Sequence, residues 1–393
     1  LMNLATQDMA AGRGLVVIDP KGDLVSDLLA RVPSERMDDI VVLDPTDNTP
    51  VGLNPLAGQG RSPEARADGV LAVFRSLYGD AWGPRTNDIL HACLLTLTRH
   101  EQASLVMVPL LLTNAGFRHS VAGRAARGDP LGVGSFWAWY EATSEAERAA
   151  AIAPLMNKLR SVLLRPGLRA VLGQTEPRFS VQEIFTKRRI LLVNLGKGAV
   201  GSEAAALLGS LVIAQFWQTT LARAAVAPAK RHPVMVYVDE VQDYLRLPTD
   251  IGDALAQARG LGVGFTLAHQ YLGQLPTSMR AAVLANARSR VCFQLPHDDA
   301  AVVAKGHSEL TPDDLGALEV YDVYASLLAG GRVMPYAFGR TLPPSLPTTR
   351  GEGVREASRR RYGRPLSEVE AGWQVMARRS DEGNLGRRRR EAS

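Results

Sequence analysis

The sequence has very little of what zinc, disulfide and redox proteins need. Its 393 residues include only two cysteines, Cys93 and Cys292. Both lie inside apolar runs and neither belongs to a CxxC pair, so no zinc-binding or redox motif can be identified. We expect two buried free thiols in a protein of a reducing compartment.

Long hydrophobic runs and a large excess of one charge are also missing. The most apolar stretch, 204–217, is shorter than the ~20 residues that a transmembrane helix needs, and it is interrupted by Ser210 and Gln215. The net charge is only +5, and the twelve arginines and seven acids from Arg350 onward account for all of it. A basic end such as the run 387–390 can contact phosphate or anionic lipid, or it can simply be solvated.

Short runs rich in Val, Ile and Leu are present, and most are separated by helix-length segments. They lie at 15–19, 40–44, 189–195, 233–240, 263–270 and 290–295. This pattern predicts an α/β fold with a mainly parallel sheet that helices cover on both faces. Near the end, a run that turns at Gly330 and Gly331 predicts a hairpin, which would add an antiparallel edge to that sheet.

The strongest single feature is the segment PVMVYVDEVQDY at 233–244. Its apolar strand ends in Asp239 and Glu240, which matches a Walker B segment, and it delivers them to the carboxyl edge of the sheet, where open α/β sheets bind ligands. There Asp239 can hold Mg²⁺ through water, and Glu240 can polarise an attacking water molecule. The pair equally suits the start of a surface helix, so the motif alone leaves both interpretations open.

Polar residues near the following strand add to this pattern. The strand ends in His269 and Gln270, which are placed to sense a γ-phosphate or to orient water, although His269 also suits core packing. Arg259 ends the preceding helix beside a glycine turn. In a ring of subunits it can reach a neighbour's nucleotide, or it can simply favour the carboxyl end of its helix.

The segment IDPKGDL follows the first strand. A turn built on Pro20 and Gly22 would project Lys21 and an acid, Asp19 or Asp23, towards a phosphate at the same sheet edge. A generic connection between a strand and a helix has the same composition. The segment therefore supports a phosphate site only together with the other strand ends.

Eight segments, taken in order, resemble the coupling proteins of type IV secretion and conjugation, the TraG/TraD group of the HerA/FtsK superfamily of P-loop ATPases. The likeness covers roughly 1–340. The segments are VVIDPKGDL, VVLDPTDNTPVGLNPL, WGPRTNDIL, NKLRSVLLRPGLRAVLGQ, RRILLVNLGKGAVG, PVMVYVDEVQDY, ALAQARGLGVGFTLAHQYLGQLP and NARSRVCFQL.

The resemblance implies a RecA-like P-loop NTPase domain with an all-helical insertion. We expect the nucleotide-binding domain at 1–53 and 180–340, the helical insertion at 54–179, and a proline-rich linker with a basic, disordered tail at 341–393. Trp137 and Trp139 in the insertion can stack a base or belong to its core.

The resemblance also implies ATP and Mg²⁺ as cofactors. By motif, Asp239 and Glu240 are Walker B, with Mg²⁺ held by Asp239, Gln270 is the sensor glutamine, and Arg259 is the arginine finger. The residues implied near the nucleotide are Asp19, Lys21 and Asp23.

The resemblance further implies a biological setting. Such an ATPase is a homohexamer at the cytoplasmic face of the bacterial inner membrane. It recruits DNA, single-stranded or carried by a relaxase-type nucleoprotein, and pumps it into a channel built by secretion proteins.

Two departures limit the resemblance. The chain contains no GxxxxGK[ST] loop and no membrane helix. The segment 1–14 is predicted to be a helix with no cap residue before it, so we expect the chain to begin just past a phosphate-binding loop and to hydrolyse ATP poorly as given. A DNA translocase that serves DNA processing without secretion, or a non-hydrolysing cargo receptor, remains an alternative.

Overall fold

A computed structural model describes residues 1–58, 61–245 and 251–373. Its centre is a five-stranded, all-parallel sheet with the strand order β2-β3-β1-β4-β5. The strands are β1 (Gly14–Asp19), β2 (Ile40–Leu43), β3 (Ile190–Asn194), β4 (Val234–Val238) and β5 (Val263–Leu267). The predicted parallel sheet is therefore confirmed for these five runs.

Helices account for most of the remaining described elements. They are α1 (Met2–Ala10), α2 (Asp23–Leu29), α3 (Pro63–Tyr78), α4 (Pro84–Thr98), α5 (Val108–Thr113), α6 (Ala115–Gly128), α7 (Val133–Ala142), α8 (Glu145–Leu163), α9 (Pro166–Leu172), α10 (Gln182–Thr186), α11 (Lys197–Val200), α12 (Ser202–Ala222), α13 (Val241–Tyr244), α14 (Ile251–Ala258), α15 (Thr277–Asn286), α16 (His297–Ala304), α17 (Pro312–Gly316) and α18 (Gly351–Tyr362).

The sheet is buried on both faces because successive side chains of a strand point in opposite directions. In β1, Leu15 and Val17 belong to a core cluster that also contains residues of α1, α2 and α18. Their neighbours Val16 and Ile18 belong to the larger cluster, which contains α12 and the helical segment. A strand between two such layers must be apolar at nearly every position, which explains the continuous run LVVI.

The described residues between β2 and β3 form helices α3 to α10 and no strand, as the sequence pattern predicts. Ser62 caps α3, and Ser144 and Glu147 form a capping box at the start of α8. Trp137 is 5% exposed and donates from Nε1 to Thr96 Oγ1 at 2.8 Å, so it is a core residue. Trp139 is 43% exposed and packs beside Phe136.

The run at 290–295 differs from its prediction as a sixth parallel strand. It forms β6 (Arg290–Cys292), which pairs antiparallel with β7 (Asp322–Ser326), and β7 pairs with β10 (Ala337–Arg340) in a separate three-stranded sheet. Val291 is 51% exposed, and an antiparallel strand tolerates such a solvated face whereas a parallel one rarely does. For the same reason Cys292 is only partly buried, while Cys93 is fully buried.

The predicted hairpin is present as β8 (Leu328–Ala329) and β9 (Arg332–Val333), which pair antiparallel. Gly330 and Gly331 connect the two strands with φ values of 57° and 80°, which favour glycine. The hairpin extends from β7. The sequence predicts that the hairpin adds an edge to the parallel sheet, and this prediction is wrong. The strand β7 belongs to the separate sheet, where β6 and β10 pair with it on either side.

The segment from 341 to 373 also differs from the expected linker and disordered tail. Thr348 and Thr349 donate their backbone N–H groups to Ala30 O, and α18 then packs on β2. Ser358 Oγ accepts a hydrogen bond from the backbone N–H of Val42, which satisfies a group at the edge of the sheet. Val354, which is fully buried, supplies the apolar contact. The rest of the expected tail, 374–393, lies outside the described residues.

One helical stretch of the described residues, Ser202–Ala225, is long and apolar enough to span a membrane by length and composition. It consists of α12 and the turn that follows it. Most of its side chains are buried against the sheet and the helical segment, among them Leu208, Phe216 and Trp217. Packing within the protein therefore accounts for its apolar character.

Candidate nucleotide-binding site

The carboxyl ends of the five parallel strands bring polar residues to one edge of the sheet. Asp19 ends β1, Asn194 ends β3, and Asp239 follows β4, which lies next to β1. Gln270 lies three residues beyond β5. The structure thus brings together the strand ends that the sequence predicted to meet.

Asp19 organises the turn after β1. Its side chain is almost fully buried, and its two carboxylate oxygens accept the backbone N–H groups of Lys21 and Val25, each at 2.9 Å. Gly22 adopts φ 98° against the side chain of Asn194, where a Cβ atom would lie 2.7 Å from the amide oxygen. The motif therefore holds a fixed turn, with Asp19 in a positioning role.

Lys21 and Asp23 are both exposed on this turn. Lys21 acts electrostatically on both Asp239 and Glu240, which places its ammonium group on the same side of the sheet edge. Asp23 opens α2, where a negative charge suits the helix dipole. Within the described part of the chain, the side chain of Asp23 forms no hydrogen bond or ion pair with the other candidate residues.

Asp239 and Glu240 differ in their electrostatic environment. Burial, together with the neighbouring charges of Glu240 and Asp19, raises the pKa of Asp239 above its usual value. Burial also disfavours the charged form of Glu240, but hydrogen bonds and the nearby lysines outweigh it, so the pKa of Glu240 is lowered. Glu240 is therefore kept ionised, as a residue that accepts a proton or orients water must be.

Two glutamines hold the Glu240 carboxylate. Gln270 Nε2 donates to Oε1 at 2.5 Å, and Gln242 Nε2 donates to Oε2 at 2.8 Å. The backbone of Glu240 has φ 48°, a left-handed conformation that costs a non-glycine residue about 1 kcal/mol. A strained residue held by two side-chain donors at the end of a buried strand is a typical feature of functional sites.

Lys197 is a site residue that the sequence analysis did not single out. It begins α11 directly after β3, and its backbone N–H bonds to Pro20 O at 2.9 Å, which joins it to the turn after β1. Its Nζ lies 2.8 Å from Asp243 Oδ2, and its charge lowers the pKa of Glu240. The signal was available in the glycine-flanked sequence LGKG that follows a buried strand.

The amino end of α1 lies at the same edge. The short connection 11–13 reverses the direction of the chain between α1 and β1. Because α1 runs antiparallel to β1, its positive dipole end faces the carboxylates of the site. Helix amino ends of this kind bind phosphate groups in many nucleotide-binding proteins.

His269 and Arg259 lie at opposite edges of the sheet. His269 is half-buried at the sheet edge, and its Nδ1 atom has no hydrogen-bond partner among the described residues. Arg259 precedes β5 and is exposed, so it lies at the amino edge, about 16 Å from the carboxyl edge for a strand of five residues. Within one chain, therefore, Arg259 does not join Glu240 and Gln270.

The donor set suits Mg²⁺ bound together with phosphates. Asp239 supplies one half-buried carboxylate, on which the charges of Asp19 and Glu240 act from nearby. Among the described residues, no three His, Cys, Asp or Glu side chains lie close enough together to hold a metal ion by themselves. Mg²⁺ fits such a site because it retains water and is commonly held by one or two carboxylates plus substrate phosphates.

Comparison with known proteins identifies the fold. No protein-family model matches the chain, and no curated protein matches it in sequence. The unbound monoclinic form of the bacterial conjugative coupling protein TrwBdeltaN70 superposes with a TM-score of 0.62 at 15% identity, over 89% of this chain and 83% of that one.

The plasmid coupling protein TrwB in complex with the non-hydrolysable analogue ADPNP gives a TM-score of 0.58 at 16% identity, over 89% of this chain and 83% of that one. The complex of TrwB with ADP and Mg²⁺ gives a TM-score of 0.58 at 15% identity, over 89% of this chain and 82% of that one. At such identities the likeness establishes the fold, and the predicted α/β architecture of a coupling protein with its helical part is confirmed.

Proposed function

We propose that this chain is the motor part of a coupling-type ATPase, which uses ATP to recruit DNA or a nucleoprotein and move it into a type IV secretion or conjugation channel. The observation that carries the proposal is the arrangement of Asp239, Glu240, Gln270 and Lys197 at the carboxyl edge of a sheet with the fold of TrwB. Structures of TrwB have been solved with ADPNP and with ADP and Mg²⁺, and each superposes on this chain with a TM-score of 0.58.

The chain's own residues divide the work of hydrolysis. Asp239 would hold Mg²⁺, which would neutralise charge on the phosphates. Lys21 and Lys197 add positive charge at the same edge. Glu240, kept ionised, accepts a proton from the attacking water, while Gln270 fixes its carboxylate in place. Asp19 and the turn at Gly22 keep Lys21 on this side of the sheet.

The position of Arg259 supports an assembly of several subunits. Arg259 lies at the amino edge of its own sheet, away from the proposed nucleotide of the same chain, and it is exposed to a neighbouring subunit. We propose a homohexamer in which Arg259 of one subunit stabilises the transferring phosphate of the next. Attachment at the cytoplasmic face of the bacterial inner membrane and contacts with channel proteins belong to the same proposal.

ATPase activity measured with and without single-stranded DNA tests this function. The assay uses a form of the protein that carries a phosphate-binding loop ahead of Leu1, because the chain itself contains none. We expect DNA-stimulated turnover that falls about 10²- to 10⁴-fold in Glu240→Gln, since the substitution removes the proton acceptor. Glu145→Gln, which changes an exposed carboxylate at the start of α8, is the matched control and keeps full activity.

A non-hydrolysing cargo receptor predicts a different result. Such a protein binds DNA or nucleoprotein but shows no turnover in either the parent or the Glu240→Gln form. That outcome, with cargo binding intact, would replace the motor by the receptor.

A further inference from the structure

A cleft among the described residues lies away from the nucleotide site, at the amino edge of the sheet. Its volume is about 330 Å³, within the range of small-ligand sites. One wall is α10, which leads into β3, and the other is the carboxyl end of α12 with the turn that precedes β4. Ligands of open α/β sheets normally bind at the opposite edge, so the proposed function does not explain this cleft.

The described lining of this cleft contains basic side chains but no acidic side chain to balance their charge. Arg61, Arg223, Lys230 and His232 line it, and no carboxylate among the described residues does. Lysine and arginine at protein surfaces are commonly balanced by nearby acids. Here four basic side chains line one partly open cleft, which favours a bound anion.

Arg223 is the most buried of the four. It is 6% exposed, and its guanidinium lies 4.9 Å from the ring centroid of Phe185. Its hydrogen-bond partners are neutral: Nη2 donates to His232 O at 2.7 Å and Nη1 donates to Gly262 O at 3.3 Å. The carbonyls fix the orientation of the guanidinium but leave its charge without a counter-ion among the described residues, and a buried charge in that state is costly.

Arg61 contributes a buried donor with no partner. Its Nη1 atom is buried and forms no hydrogen bond within the described part of the chain, although a guanidinium can donate five. Burial, with a smaller contribution from Arg66, lowers the pKa of Arg61 to about 10, so the group stays charged at neutral pH. An unsatisfied guanidinium beside a cleft is the kind of group that a ligand oxygen satisfies.

We propose that this cleft is an anion site that binds a phosphate group through Arg61, Arg223 and Lys230. Guanidinium groups match phosphate oxygens in a two-point geometry, and Lys230 adds a flexible point charge. Ser180 and Thr219 contribute further polar side chains to the wall. The phosphate comes either from a small phosphate ester or from the backbone of a nucleic-acid strand.

Calorimetric titration of the chain with pyrophosphate, AMP and a short oligothymidylate at constant ionic strength tests the site. We expect saturable binding that weakens roughly tenfold or more in Arg61→Ala and in Lys230→Ala, since each removes a charge-assisted contact. Both side chains are more exposed than Arg223, so the variants keep the fold, which a thermal melt verifies. Arg223 is left unchanged because its removal would disturb the core.

Two further variants separate the cleft from other anion binding. Lys187→Ala is the control, because it removes one positive charge at the end of α10 without altering the lining of the cleft, and it keeps the parent affinity. Lys197→Ala removes a lysine of the nucleotide site, so a loss of affinity in this variant that Arg61→Ala does not share would place the anion at the nucleotide site and overturn the proposal. Binding of pyrophosphate or AMP identifies a small ester, whereas binding of the oligonucleotide alone identifies a strand.

The proposal fails if none of the three anions binds saturably. It also fails if Lys187→Ala weakens binding as much as Arg61→Ala, because the attraction is then a property of the whole surface. Neither result bears on hydrolysis at Glu240, so the two proposals fail separately.

Discussion

The contact between Gln270 and Glu240 gives the site its most specific feature at the scale of single residues. The amide donates to the carboxylate at 2.5 Å across two neighbouring strands, β4 and β5. Because burial alone would raise the pKa of Glu240, the donors and the nearby lysines are what keep the group charged. Gln270 thus affects both the position and the ionisation of the proposed proton acceptor.

Substitution of Gln270 by alanine is expected to change the pH dependence of turnover. Loss of the donor raises the pKa of Glu240, and activity requires the ionised form, so the acidic limb of the pH–rate profile moves to higher pH. Turnover at neutral pH is expected to fall about tenfold or more because the carboxylate is no longer oriented. Nucleotide affinity should change far less.

The control for this prediction is Gln257→Ala, which truncates an exposed glutamine of α14 and should leave the profile unchanged. An acidic limb of Gln270→Ala that coincides with that of the parent would show that Gln270 does not tune Glu240.

The residues of the site were not equally predictable from sequence. Asp239 and Glu240 follow a strongly apolar strand, and Gln270 follows the next one, so their meeting at one edge is a consequence of parallel strand direction. Lys197 was missed because its role depends on β3 lying beside β1, and strand order cannot be read from local composition. Asp19 was assigned to the nucleotide although its carboxylate bonds only backbone N–H groups within the described residues.

The docking of α18 on β2 is the main feature that emerges at the scale of secondary-structure elements. Arg355 Nη1 lies 2.9 Å from the buried carboxylate of Asp44, and Arg359 Nε lies 2.6 Å from Asp47. Asp44 also accepts a hydrogen bond from Asn194 Nδ2 at 2.8 Å. These contacts connect the segment after 341 to the polar edge of the sheet, so α18 belongs to the folded domain.

Removal of Arg355 is expected to weaken this docking. Arg355→Ala leaves the Asp44 carboxylate, 5% exposed, without its guanidinium partner, and loss of one member of a buried pair costs about 3 kcal/mol. The rate of amide hydrogen exchange in α18 should rise by the factor that corresponds to this loss of free energy. Arg360→Ala, on the exposed face of the same helix, provides the comparison.

Equal protection of α18 in the Arg355→Ala and Arg360→Ala proteins would mean that apolar contacts such as Val354 hold the helix without the ion pair.

Sequence patterns failed for α18 and for β6 for related reasons. The sequence of α18 is rich in arginine and suggests a solvated segment, because its few apolar positions are visible only once β2 offers a surface. The run of β6 has the composition of a buried parallel strand, yet Val291 and Phe293 are each 51% exposed. In both elements tertiary context decides burial, and composition does not.

The arrangement of the whole molecule places the two proposed partners of hydrolysis at opposite edges of one sheet. Glu240 lies at the carboxyl edge and Arg259 at the amino edge, separated by the length of β5. The two can act on one nucleotide only if neighbouring subunits each supply one of them. The proposed role of Arg259 therefore needs a neighbouring subunit, which the proposed ring would supply.

Mixing two inactive variants tests this requirement. Arg259→Ala subunits keep Glu240, and Glu240→Gln subunits keep Arg259, so some interfaces of a mixed ring contain both groups. We expect each variant alone to hydrolyse ATP at least about 10²-fold more slowly than the parent, and the mixture to regain a measurable fraction. Lack of recovery in the mixture, or full activity of Arg259→Ala alone, would exclude a role for Arg259 in trans.

The location of bound nucleotide decides whether the carboxyl edge of the sheet is the site of hydrolysis. The measurement is a crystal structure with Mg²⁺ and a non-hydrolysable ATP analogue, of a form that carries a phosphate-binding loop ahead of Leu1. We expect the terminal phosphate at the carboxyl edge between Glu240 and Lys197, with Asp239 on the Mg²⁺ side. A nucleotide bound at the amino edge, or one with its phosphates beyond the reach of Glu240, would rule out hydrolysis by these residues.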